Sequence, residues 1–142
     1  MRTALIYSAQ SKKLELIARR ILSLIQKTGH SVEEIKVEET TKTPSFYGYE
    51  LIFVGSPVLG FWGGKYPETL ANYLRRASGL EGKKSVVFVT PKTFGVNKAT
   101  KKIMHQLEKK GSFVIDFRCI KSVTEAEEFG QKLLSRFSRK ES

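Results

Sequence analysis

Apolar residues along this chain fall into two alternating kinds of pattern. Short continuous runs, Thr3 to Tyr7, Leu51 to Gly55 and Val86 to Val89, have the length and composition of strands buried on both faces. Between them lie longer stretches with apolar residues at helical spacing. Leu14, Ile17, Ala18, Ile21, Leu24 and Ile25 make one face of a helix over Lys13 to Thr28, which Gly29 stops. Leu70, Ala71, Leu74 and Ala77 do the same for a helix opened by Pro67 and ended by Gly79, and Ile103, Met104 and Leu107 for one capped by Asn97 and terminated by Gly111. Thr124 with Glu127 reads as a capping box for a last helix whose stripe is Ala126, Phe129, Leu133, Leu134 and Phe137, and Ser138 to Ser142 reads as a polar frayed tail.

Two further segments are half apolar. Val32, Ile35 and Val37 sit among Glu33, Glu34, Lys36 and Glu38, a strand with one wet face. Phe113 to Ile120 starts apolar and then alternates, with Asp116 and Arg118 on one side and Phe117 and Cys119 on the other. Both are expected at sheet edges. Glu39 to Gly48 is polar and contains Pro44, so a loop is expected where a second crossover helix usually stands.

Strands and helices alternate throughout, which predicts an α/β fold with a doubly wound parallel sheet and helices on both faces, a three-layer sandwich. With the second and fifth strands at the edges and the first, third and fourth inside, the order 2-1-3-4-5 fits. A Rossmann order places the third strand at an edge, against its composition.

The 142 residues match a single domain, expected to span 1–142. One cysteine, Cys119, excludes an internal disulfide and a multi-cysteine metal site, and its expected role is core filling. Met1 to Gln10 carries no signal-peptide pattern and no apolar run approaches a membrane span, so a cytoplasmic protein without membrane association is expected. Twenty-five Lys and Arg against fourteen Asp and Glu leave a net charge of +11, a balance that favours acidic partners. The basic pairs Arg19-Arg20, Arg75-Arg76, Lys83-Lys84, Lys101-Lys102 and Lys109-Lys110 are scattered over several elements, and no motif gathers them for specific nucleic-acid binding. Nothing in the pattern fixes an oligomeric state.

In open α/β sheets ligands bind beyond the carboxyl ends of the strands. A response-regulator receiver needs acidic residues after the first strand and an Asp after the third, where this chain has Ser8, Ala9, Gln10 and Gly55, Ser56. A small tyrosine phosphatase or a phosphotransferase domain needs a Cys after the first strand, and the only one is in the fifth. SAQSKKL, between first strand and helix, lacks the glycines of a P-loop or a GxGxxG turn, which argues against nucleoside triphosphates and NAD. His30 and His105 stand alone, and no acid, base and nucleophile set converges, which favours cofactor chemistry over side-chain catalysis.

The stretch after the third strand stands apart from ordinary loops. In GSPVLGFWGGKYP the residues Val58, Leu59, Phe61 and Trp62 are large and apolar, while Gly60, Gly63 and Gly64 free the backbone. An aromatic, glycine-rich loop at a sheet's carboxyl edge is suited to a flat ligand, and equally to covering a core gap or a partner interface.

In these stretches the chain resembles the flavodoxin family. Ser8 to Lys13 occupies the position of that family's phosphate loop, GSPVLGFWGGKYPETLANYL resembles its third-strand ending, flavin-facing loop and proline-started helix, and GKKSVVFVTPKTFG resembles its fourth strand and second flavin loop. The likeness covers nearly the whole chain in element order and is strongest from Gly55 to Leu74. It implies FMN as ligand and electron transfer or flavin-dependent reduction as the task, with a redox partner protein that the charge makes acidic. By position it implies Ser8, Gln10, Ser11, Lys12 and Lys13 at the phosphate, with Ser8 and Ser11 favoured as small hydroxyl residues. Pro57, Val58, Leu59, Gly60, Phe61, Trp62 and Gly63 flank the ring, Trp62 or Phe61 stacking on it, and Thr90, Pro91, Lys92, Thr93, Phe94 and Gly95 lie on its other side. The phosphate loop departs from the family pattern, since Ser11, Lys12 and Lys13 stand where Gly, Asn and Thr are usual and Gln10 replaces a hydroxyl. A helix N-terminus with two lysines still favours an anion. The other reading of the same residues is a flavodoxin-like binding module that has lost FMN and works through its basic surface.

Overall fold

The computed structural model describes residues 1–60, 64–91 and 94–141, with side chains to residue 137. In chain order its elements are β1 (Arg2–Tyr7), α1 (Lys12–Lys27), β2 (Ser31–Lys36), β3 (Leu51–Pro57), α2 (Glu68–Arg76), β4 (Lys84–Thr90), α3 (Val96–Lys109), β5 (Phe113–Cys119) and α4 (Val123–Glu141). The strands form one all-parallel sheet in the order β2-β1-β3-β4-β5. This is the doubly wound arrangement expected from the burial pattern.

Successive side chains of a strand point to opposite faces, and the core divides accordingly. Leu5, Tyr7, Leu51, Phe53, Val86 and Phe88 face α1 and α4, whose Leu14, Ile17, Ile21, Phe129 and Leu133 close that layer. Ala4, Ile6, Ile52, Val54, Val87 and Val89 face α2 and α3 and meet Leu70, Leu74, Ile103 and Leu107. The central strands read as unbroken apolar runs because both faces are covered. The β4/β5 pairing shifts register between Ser85 and Val86 of β4, yet Asp116 of β5 still points toward Arg136 and Arg118 stacks over Phe129 on the α4 side, while Cys119 joins the other layer half-buried.

The polar connection after β2 holds one apolar anchor. Phe46 is fully buried in the α2/α3 layer, edge-on to Tyr73, and its N–H donates to Ser78 O at 2.8 Å while Ser78 N–H donates to Pro44 O. This strap covers sheet surface that a crossover helix would otherwise protect. Gly79, at φ +80, lies against it, and a Cβ there would stand 2.6 Å from Tyr47 N.

Several helix ends differ from the sequence expectation. The N-cap of α3 is Gly95 at φ 80, not Asn97, which lies inside the first turn; the left-handed turn out of the β4 loop needs a glycine, so the cap falls there. The capping pair of α4 is Ser122 with Glu125 rather than Thr124 with Glu127: Glu125 N–H donates to Ser122 Oγ, and Lys121 N–H donates to the Glu125 carboxylate. Pro67 is the N-cap of α2, its carbonyl accepting from Ala71 N–H, and α2 ends at Arg76 with Ala77 extended, ahead of Gly79. The expected tail at 138–142 is helical through Glu141, since no residue there breaks the last helix.

Candidate functional site

The parallel sheet delivers the chain ends of β1, β3 and β4, its adjacent inner strands, to one edge. Ser8, whose N–H donates to Gly55 O, Pro57 and its register partner Thr90 therefore leave the sheet side by side at that edge. Phe61, Trp62, Gly63, Lys92 and Thr93, expected to flank a ring, lie outside the described residues.

The loop after β3 is clasped at its base, between Leu59 and Lys65. Pro57 and Val58 are buried, and Leu59 N–H donates to Lys65 O at 2.8 Å while Lys65 N–H donates back to Leu59 O at 3.3 Å. Gly60 at φ 93 and Gly64 at φ 79 turn the backbone inside that clasp, in a region where side chains are strained. A Cβ on Gly64 would stand 2.9 Å from Lys98 Cδ, so the loop lies against the first turn of α3. Ser56 is buried with its hydroxyl donating to Pro57 O. On the β4 side Thr90 is buried in register with Pro57, Pro91 is half-buried and Phe94 is exposed.

Ser8, fully buried, is the pivot of the β1 loop. Its hydroxyl donates to Glu38 Oε2 at 2.6 Å, the N–H of Ala9 donates to Glu38 Oε1 at 2.7 Å, and the hydroxyl of Thr69 donates to Glu38 Oε2 at 2.8 Å. Ser11 caps α1, accepting from Leu14 N–H at 3.2 Å. Gln10, Lys12 and Lys13 are exposed, and the charge of Lys13 reaches across the edge to Cys119, where burial nonetheless pushes the thiol up. Of the residues expected at a phosphate, Ser8 alone takes part in the donor cluster. Ala9 and Thr69 join it unforeseen.

Glu38 stands there because of the sheet. β1 pairs with β2 in parallel, Tyr7 opposite Lys36, and Val37 N–H continues the ladder to Tyr7 O at 3.1 Å. Two positions beyond the Tyr7/Lys36 pair, Ala9 and Glu38 then lie side by side past the last rung. Thr69, in the first turn of α2, completes the cluster from the other layer. Burial by itself would raise the pKa of Glu38, but the donors from Ser8, Ala9 and Thr69 outweigh it and hold the carboxyl below its ordinary value. The cluster thus binds a carboxylate, and its donor set, hydroxyls and a backbone N–H ahead of a helix N-terminus, is that of an anion seat.

No protein-family model and no curated protein sequence matches the chain. Solved structures do. Oxidised flavodoxin 1 from Bacillus cereus superposes with a TM-score of 0.80 at 19% identity, over 95% of this chain and 98% of that one. The flavodoxin of Streptococcus pneumonia TIGR4 gives 0.76 at 15% identity, over 96% and 99%, and a flavodoxin from the domain Archaea 0.70 at 20%, over 96% and 98%. The chain therefore has the flavodoxin-like fold over nearly its whole length.

Proposed function

We propose that this chain binds FMN at the carboxyl edge of its sheet and works in electron transfer or flavin-dependent reduction. The observation that carries the reading is the convergence on an anion of Ser8 Oγ and Ala9 N–H, from the loop that the flavodoxin resemblance assigns to a phosphate, with Thr69 Oγ1 from the first turn of α2. A phosphate, like a carboxylate, offers several acceptor oxygens to such donors, so the residues fit the group. Ser8 and Ala9 would hold it, Lys12 and Lys13 would add charge from the first turn of α1, and the glycine-rich loop after β3 and the loop after β4 are the stretches that would flank the ring. Bound FMN supplies a ring that accepts and returns electrons.

The partner in that transfer is proposed to be an acidic redox protein. Lys98, Lys101 and Lys102 stand exposed in the first two turns of α3, a helix with no acidic residue in its first turn, next to the β3 loop. Lys98, in the first turn, opposes the helix dipole, an effect of about 0.3 to 1 kcal/mol that fades beyond that turn, and among the described residues none of the three is in a salt bridge. A negative partner surface would offset that cost.

A second reading, the FMN-free binding module, draws on the presence of Glu38 in the anion seat. Fluorescence-quenching titrations with FMN and FAD separate the two. Saturable quenching by FMN, with FAD weaker because the flavodoxin resemblance offers one phosphate loop and no second nucleotide-binding motif, supports flavin binding. Absence of quenching by a protein with a folded circular dichroism spectrum refutes it and leaves the module.

A further inference from the structure

We propose that Glu38 is a built-in competitor for the phosphate of the ligand: its carboxylate occupies the anion seat of the β1 loop, and a phosphate-bearing flavin enters only by displacing it. The inference rests on the FMN reading for the identity of the ligand, and on the geometry of the cluster for everything else.

Both oxygens of the carboxylate are engaged, Oε1 by Ala9 N–H and Oε2 by the Ser8 and Thr69 hydroxyls, at 2.6 to 2.8 Å. Those are the donors at the mouth of the loop, and an oxygen held by them excludes another. Ser8 is fully buried and Thr69 sits on a helix, so the seat is a fixed frame. Glu38 itself is exposed and belongs to a turn past the end of an edge strand, where the Glu39 N–H closes back on Lys36 O. The carboxylate is therefore the mobile member of the pair. Swinging outward it meets solvent and leaves the three donors free for another anion. Two anions sharing the seat would also repel, so occupancy is exclusive.

The consequence is selective. A ligand binding only when Glu38 has left has its affinity reduced by the fraction of molecules with the seat open. Riboflavin, which shares the ring and lacks the phosphate, has no claim on the seat and pays no such reduction. If Glu38 fills the seat about nine-tenths of the time, its removal tightens FMN about tenfold and leaves riboflavin unchanged.

The test uses the intact chain as wild type, Glu38→Ala and Glu38→Gln, the glutamine keeping size and an acceptor oxygen without the charge. FMN and riboflavin are titrated by fluorescence, and inorganic phosphate is titrated at constant ionic strength while the Ala9 amide is followed by NMR. The expected result is about tenfold tighter FMN in Glu38→Ala with riboflavin unmoved, an intermediate gain in Glu38→Gln, and a phosphate-dependent Ala9 shift in the variants at concentrations that leave wild type unchanged. FMN affinity unchanged or weakened in a folded variant, or an equal change for both flavins, overturns the proposal and makes Glu38 a structural pin of the β2 turn. If neither flavin binds any form, the FMN reading fails, and the phosphate titration alone decides: a shift in the variants only upholds the competition, and no shift in any form rejects it. Should Glu38→Ala not fold, Glu38→Gln carries the same comparisons.

Discussion

Replacing Gly55 by alanine should destabilise this protein although alanine is the smallest possible addition. Gly55 lies in β3 between Tyr7 of β1 and Phe88 of β4, on the face covered by α1 and α4. An added Cβ would stand 2.4 Å from Phe88 Cζ and 2.5 Å from Cε2. Carbon atoms in contact rest about 3.5 to 4.0 Å apart, so the ring must retreat by roughly 1 Å. Phe88 is wholly buried, and a close-packed interior has no room to receive it. Overpacking of this kind costs about 1 to 3 kcal/mol. Against it, alanine restricts the unfolded chain, which stabilises by about 0.4 to 1 kcal/mol. The clash wins, with a net loss of about 1 to 2 kcal/mol, or a fall in Tm of roughly 3 to 8 °C for a chain of this size. Urea denaturation followed by circular dichroism measures it, with the m value unchanged. Phe88→Leu should cost stability alone and less in the Gly55→Ala background, a coupling of about 1 kcal/mol or more in a double-mutant cycle. Stability of Gly55→Ala within about 0.5 kcal/mol of wild type, or strictly additive variants, would refute the argument.

Two other predictions concern charge. Because the carboxyl of Glu38 is held below its ordinary value of 4.5, its contact with Ser8, Ala9 and Thr69 stabilises the fold above that pH and is lost as pH falls through the lowered value; the Ala9 amide shift should titrate with a midpoint below 4.5, and in Glu38→Gln this titration should disappear. A midpoint at or above 4.5 would contradict the donor cluster. Electron transfer from the flavin-loaded protein to an acidic redox protein should slow as salt rises, and Lys98→Ala with Lys101→Ala should slow it at low salt with little effect at high salt. A rate that increases with salt would remove α3 as the docking face.

The architecture of this protein is a local property of its sequence. Leu51 to Val54 and Val86 to Val89 are apolar on every residue because both faces of β3 and β4 are covered, and the acidic residues among Val32, Ile35 and Val37 mark β2 as an edge. Periodicity reports burial, burial reports position in the sheet, and those positions leave the strand order 2-1-3-4-5. The helical stripes follow by the same logic, and the loops at the carboxyl edge follow from the topology.

What the tertiary structure decided is which groups meet. Asn97 and Thr124 are good capping residues, yet Gly95 and Ser122 cap, because the path of the incoming chain sets which residue has the required backbone angles. Phe46 lies in a polar stretch, with no periodicity to announce that it seals a core layer. Glu38 is 30 residues from Ser8 and 31 from Thr69, and their contact depends on the β1/β2 register and the placement of α2. A lone glutamate at the end of an edge strand looks like any solvated acid. Its neighbours are supplied by two other elements, and only the assembled sheet brings three donors to one carboxylate.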